Sequence, residues 1–428
     1  MIAIHIKEYL EHVRLFSKNA RWFLMGSFFM GFGFSVFMLL FNLYLRQLGY
    51  LEGTIGTILS ASALGTVLIA VPAAILVDHV KVKRVLFMAA AFDCSILIFQ
   101  AMSSNVWNLR MLAGVSGAMA VVHSVAASPF FMRNSNPQER PYLFGVNMAL
   151  ETVSGFLGML MGGLVPRMLV KMGVDLLHGY RYALIGGAVI AFSALIFYGM
   201  IKAAKPIRTT RFRLSEYFGA RDWRTMLQLM APYTLIGMGA GLVIPFLNIY
   251  FLRRFNLASD SIGTIFAIGS LFTALGFLIG PVLAKRMGLI KVTIITQFLS
   301  IPFFLILAFS HNLYLSIAAF FFRGSLMNMA WPMYNNFAME IVPADQQAGT
   351  NSVLSLAWSG SWMISTSVGG FIIQHYGFTW VMLMTVSLYL GSTVLAWAIF
   401  RHRISVGRGQ AYIIPEEAKI SGVLGESD

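Results

Sequence analysis

The sequence predicts an all-α membrane protein of twelve transmembrane helices, arranged as two six-helix bundles related by a pseudo-twofold axis. Three observations lead there. Hydrophobic residues make up 58% of the 428-residue chain and charged residues 11%, with a mean hydropathy of +0.74; soluble domains carry about 25% charged residues. Apolar runs recur near 22–45, 54–77, 84–103, 107–131, 142–166, 180–203, 227–251, 261–284, 291–310, 313–339, 350–374 and 378–400, each close to the ~20 residues that cross a hydrocarbon core of roughly 30 Å. The third observation is a duplication: Gly31, Gly33, Asn42 and Tyr44 recur 206 residues later as Gly237, Gly239, Asn248 and Tyr250, and Ile55-Gly56-Thr57-Ile58 recurs one residue beyond that offset as Ile262-Gly263-Thr264-Ile265. A unit of about two hundred residues is a domain, since solenoid repeats run to roughly 20–50. The alternating strand pattern of a membrane barrel is absent.

In chain order, the first residues, with Lys7, Glu8, Glu11, Arg14 and Lys18, are too charged for the apolar core of a signal peptide and read as an amphipathic lead-in on the inner leaflet. Residues 1–203 form the first bundle with this lead-in, 204–226 a basic cytoplasmic linker containing Pro206 and Arg208, 227–403 the second bundle, and 404–428 a cytoplasmic tail. On span five, Gly155, Gly158, Gly162 and Gly163 place small residues at the intervals that let helices approach closely. Cys94 is the only cysteine, so no intrachain disulfide forms.

The net charge of +14 is an orientation signal rather than a nucleic-acid footprint. Most Lys and Arg residues, including Lys81, Lys83, Arg84, Lys202, Lys205, Lys285 and Arg286, fall on the loops that share a side with both termini, which puts those termini in the cytoplasm. Four charged residues, Asp93, Arg110, Glu151 and Arg323, fall inside spans, with His123 as a fifth titratable group. Such groups persist only when paired, neutralised or facing a water-filled cavity. Glu151 and Asp93 lie about ten residues into their spans and so near mid-membrane at about 1.5 Å per residue; each is either a proton carrier or a hydrogen-bonded packing residue. Arg323 shares a helical stripe with Met327, Trp331 and Tyr334, which either receives substrate or packs on span eleven, where Trp358 and Trp362 stand.

Several stretches, in the correct order on the correct spans, resemble the motifs of the major facilitator superfamily. The loop after span two keeps the acid and trailing bases of that family's pattern as Asp78, Lys83 and Arg84, with Ala74 and Lys81 where glycines belong. Span four carries Arg110, Gly114 and Gly117, and span five carries Gly158, Gly162 and Gly163 at the positions of an antiporter motif, with Met159 in place of its proline. The resemblance covers about residues 20 to 403. It implies a bacterial secondary transporter, monomeric, in the inner (plasma) membrane, that works by alternating access without cofactor or metal. Its partners would be a small-molecule substrate, protons and the lipid bilayer, and no nucleic acid.

In residue terms it implies a conformational latch at Asp78, Lys83 and Arg84 and a part in proton transfer for Arg110, beside the proton-coupling candidates Glu151 and Asp93 that mid-membrane placement already offers. Spans one and seven would face a central cavity, making Asn42, Tyr44, Asn248 and Tyr250 candidate lining residues beside Arg323, Trp331, Tyr334 and Trp358. The greasy, tryptophan-bearing spans suit proton-coupled export of an amphipathic or aromatic compound. Arg110 and Arg323 suit uptake or exchange of an organic anion, and a non-transporting sensor or channel stands as a third reading. The sequence holds no HExxH, GxSxG or P-loop, so no enzyme is expected.

Overall fold

The structure is a computed structural model that describes residues 16–136, 139–202, 223–343 and 346–406. The first fifteen residues, most of the linker and the end of the tail lie outside them. Twelve helical spans follow one another: α1 (Lys18–Gln47), α2 (Glu52–His79), α3 (Val82–Met102), α4 (Val106–Asn134), α5 (Arg140–Lys171), α6 (Leu176–Phe192, resuming as Ala194–Met200), α7, α8 (Ser259–Met287), α9 (Leu289–Phe309), α10 (Leu313–Ile341), α11 (Gln347–Tyr376) and α12 (Phe378–Val406). The seventh runs from Trp223 to Val243, passes through a 3₁₀ turn at Ile244–Phe246 and resumes over Leu247–Phe255. Proline at 245 has no N–H to donate to the helical ladder, which accounts for the break there.

Eleven of these spans hold a window apolar enough to cross a membrane. The exception is α11, whose interior carries Ser355, Ser359, Ser361, Ser365 and Thr366. It is helical all the same, and three of its hydroxyls are satisfied by carbonyls of their own helix: Ser361 by Ala357 O at 2.6 Å, Ser365 by Ser361 O at 2.6 Å, Thr366 by Trp362 O at 2.8 Å. Capping repeats with the halves. Asn105 accepts from Trp107 N and Asn108 N at the start of α4, and Asn312 accepts from Leu315 N at the start of α10. Single residues, Gly288 (φ +87°) and Gly377 (φ +84°), join α8 to α9 and α11 to α12; glycine is favoured there because a side chain strains that backbone.

The duplication is visible in the bonds. Tyr44 donates to Ala101 O and Tyr250 to Leu307 O, both at 2.7 Å and 206 residues apart on each side. Across the midline, Asn42 Nδ2 donates to Pro245 O at 2.6 Å and Asn248 Nδ2 to Leu39 O at 2.7 Å. Leu39 and Pro245 are themselves 206 residues apart, so the pair is its own image under a twofold rotation.

Within each half, close helix contacts rest on missing side chains. A Cβ on Gly65 of α2 would lie 1.8 Å from Gly114 O of α4, and one on Gly117 would lie 1.9 Å from Ser62 O. The span-four motif glycines are therefore the surface on which α2 seats. Gly65→Val should push α2 off α4 and cost at least the about 1–3 kcal/mol of an overpacked core, read as a lowered midpoint of thermal unfolding in detergent. An unchanged midpoint would show that α2 and α4 are not held at this distance.

Candidate substrate cavity and cross-half gate

Between the halves lies a cavity of about 1210 Å³. Spans α1, α2, α3, α4 and α5 line it from one side and α7, α8, α10 and α11 from the other, while α6, α9 and α12 contribute none of the described wall. Phe34, Phe37, Phe41, Phe266, Phe320, Trp358 and Trp362 set aromatic rings in its largely apolar surface, and Asn42, Gln100, Asn248 and Asn328 dot it with amides. It holds one carboxylate, Glu151, and one cation, Arg323, among the described residues. The Asn42–Asn248 pair forms its floor, and the wall runs from there to Gly145, Met148 and Leu278, nearer the opposite ends of their helices.

The floor end is tightly closed. There α2 meets α11 and α5 meets α8 through four glycines: a Cβ on Gly56 would lie 2.4 Å from Thr366 O, one on Gly370 2.3 Å from Glu52 O, one on Gly163 2.4 Å from Ser259 O, and one on Gly263 2.6 Å from Met159 O. Hydrogen bonds cross at the same level. Ser60 donates to Met363 O, Gly53 N to Gln374 Oε1 at 3.1 Å, and Ser259 to Gly163 O at 3.0 Å. Outside them sits Glu52, 1% exposed, with Arg253 of the other half at 2.9 Å and Arg46 of its own at 3.9 Å. Arg167 and Asp260 add a second cross-half pair at 3.9 Å.

Of the candidates from sequence, Asn42, Glu151, Asn248, Arg323 and Trp358 line the cavity. Glu151 accepts from Asn147 Nδ2, one turn earlier, at 2.7 Å. Arg323, 6% exposed, donates from Nη2 to the Tyr389 hydroxyl at 2.9 Å and lies 4.6 Å above the Phe304 ring.

The others sit elsewhere. Tyr44 and Tyr250 are buried in bonds to backbone of α3 and α9, because an outward turn of each ring reaches a neighbouring helix rather than the midline. Tyr334 donates to Leu229 O at 2.6 Å and Trp331 Nε1 to the Tyr233 hydroxyl at 2.9 Å, so this part of the stripe packs on α7 rather than on the cavity wall. Asp93 stands one residue behind the wall, accepting at 2.7 Å from Ser116, which does line it. Arg110 turns to α2, with Nε 3.1 Å from Thr57 Oγ1 and its guanidinium over Trp107. His123 and Tyr198 share a hydrogen bond at 2.9 Å within the first half.

At the latch, Lys83 donates to Gly199 O at the end of α6, in its own half, and Arg84 is exposed; the Asp78 side chain lies outside the described residues. The gate at Glu52 was not read from the sequence. The available signal was a carboxylate three residues before the first Ile-Gly-Thr-Ile, at Glu52, and an arginine at Arg253 nine residues before the second, obscured because both look like loop charges.

The sequence model of the Major Facilitator Superfamily matches residues 23–228 and again 229–420. The chain belongs to that superfamily. It is 26% identical over 354 residues to the uncharacterized MFS-type transporter YceJ of Bacillus subtilis (strain 168), covering 78% of this chain and 86% of that one. Among solved structures it resembles an inward-facing, unoccupied bacterial homologue of the lysosomal transporter Spinster (TM-score 0.73, 13% identity, 92% of this chain and 98% of that one). It also resembles the nucleoside transporter NupG (TM-score 0.72, 15% identity, 90% and 99%). At that identity the two structures show the fold alone. The protein is thus a multi-pass membrane transporter of the superfamily.

In this superfamily member the gate makes a direct prediction. Glu52→Gln leaves two arginines without their acid, at a cost between the about 0–1 kcal/mol of an exposed pair and the about 3–5 kcal/mol of a buried one. In a Cys94→Ala background, Thr366→Cys should then react several-fold faster with maleimide added from the floor side. An unchanged rate would remove Glu52 from the gate.

Proposed function

We propose that the protein is a proton-coupled secondary transporter that exports small amphipathic, ring-bearing molecules across the bacterial inner membrane. Residues 1–203 and 227–403 act as two rocking bodies, 204–226 as their cytoplasmic linker and 404–428 as a cytoplasmic tail, in a monomer. The basic loops support cytoplasmic termini. With that orientation the glycine-packed floor is the outer seal, and the cavity wall runs toward the cytoplasm. Cargo enters from inside, and parting of the Asn42–Asn248 and Glu52–Arg253 contacts releases it outside.

The observation that carries the reading is the placement of Glu151. It is the single described carboxylate on a largely apolar, aromatic wall, and its hydrogen-bond donor is a neutral amide. A carboxyl group so placed exchanges its charge for neutrality by taking one proton. Alternation between proton and cargo then couples the two fluxes in opposite directions. The glycines in antiporter-motif positions also support exchange: Gly158 packs on Phe32 and Ser35 of α1, and Gly163 on α8, so the segment carrying Glu151 borders both halves. The aromatic wall favours flat apolar cargo, and the cavity volume is ample for a drug-sized molecule.

The test is transport of fluorescent naphthalene derivatives in proteoliposomes under an imposed pH gradient. The wild type should accumulate probe against its gradient when the cytoplasmic face lies outside and the lumen is acid. Glu151→Gln should bind probe as well as the wild type yet lose at least about 90% of gradient-driven transport. Retained transport with unchanged pH dependence would remove Glu151 from coupling.

A further inference from the structure

Among the described residues, Arg323 is a buried charge without a counter-charge. An arginine stays protonated under all ordinary conditions, and burying such a charge unpaired is costly. Here Nη2 bonds the Tyr389 hydroxyl, and the rings of Phe304 and Tyr389 lie 4.6 and 6.0 Å from the guanidinium carbon. Among the described residues Nε is buried without a hydrogen-bond partner, and no carboxylate makes an ion pair with the side chain. A hydroxyl and two ring faces compensate a cation only in part.

The duplication shows where its acid would have been. At the offset of 207 that relates Asn105 to Asn312 and Gly117 to Gly324, Arg323 corresponds to Ser116, and Ser300 to Asp93. In the first half the carboxylate of Asp93 accepts from Ser116 at 2.7 Å. In the second half the wall residue has become the arginine, and the position behind it holds a serine whose hydroxyl bonds Gln297 O at 2.7 Å. The two halves carry the same pair of positions with the charge moved to the wall and its sign reversed. On the same wall, Trp362 Nε1 is a second buried donor with no partner among the described residues.

We infer that the second half holds an anion subsite, in which Arg323, with Trp362 as a second donor on that wall, receives the acidic group of the cargo. The cargo is then an amphipathic anion: a carboxylate, sulfonate or phosphate monoester on an apolar body that lies against the aromatic wall. This rests on the transport reading for its setting and narrows the substrate class within it. It also divides the work, with the anion held by the second half and the proton by Glu151 of the first.

The test uses the purified full-length protein in nanodiscs and follows tryptophan quenching and thermal stabilisation. The probes are 2-naphthoate, naphthalene-2-sulfonate and 2-naphthyl phosphate against 2-naphthamide, 2-naphthol and 2-naphthylmethylammonium, with lysophosphatidylglycerol against lysophosphatidylcholine as lipid arms. At least one anion should bind about tenfold or more tighter than its uncharged or zwitterionic counterpart. Preference within the naphthyl arm identifies a free aromatic acid, and preference confined to the lipid arm identifies an acidic lipid.

Arg323→Gln should erase the preference, bringing anion binding to the level of 2-naphthamide binding in the same variant. Should that variant not fold, Arg323→Lys must keep a reduced preference, and Trp362→Phe must weaken anion binding several-fold. Charge-blind binding by the wild type, or a preference that survives loss of the guanidinium, overturns the subsite. Anion-selective binding with Glu151-independent transport would leave the subsite standing and sink the proton coupling, and the reverse pattern would do the opposite.

Discussion

The arrangement of the molecule depends on two amide side chains that bond across its midline. Asn42 and Asn248 each donate to a backbone carbonyl of the opposite half. In a membrane an amide finds no water to replace such a bond, and measured interhelical bonds there average about 0.6 kcal/mol. Their strength is modest, but their geometry is demanding. Both are satisfied only when α1 and α7 cross with twofold symmetry at that level. That crossing brings Gly56 to α11 and Gly163 to α8, which seals one end and leaves the space below as a cavity. Small-residue packing and a few polar links, rather than an interdigitated apolar core, hold the halves together at this level.

The halves share a backbone plan but differ in what they present to the cavity. Matching bonds at Tyr44 and Tyr250, and matching caps at Asn105 and Asn312, reproduce the frame almost residue for residue. The charges do not follow the repeat. Glu151 stands on one wall and Arg323 on the other, and α7 is broken at Pro245 where α1 is continuous. The lining is asymmetric: the first half presents a carboxylate to the cavity and the second a guanidinium.

The sequence alone determined the fold class, the twelve spans and the duplication, because the bilayer forces a helix wherever about twenty apolar residues run together and because copies keep their spacing. It also singled out Glu151, Arg323, Asn42, Asn248 and Trp358, since polar groups on apolar spans are few enough to notice. It did not determine which way each side chain faces. Tyr44 and Asn42 are two residues apart on one helix, yet one looks outward to α3 and the other to the midline. Arg110 turned to Thr57, and Asp93 fell one residue behind the wall. The Glu52–Arg253 ion pair emerged only when residues 201 positions apart met. Spacing along a helix fixes relative angles but not absolute phase, and phase is set by packing against chain that is remote in sequence; the tertiary structure alone supplies it.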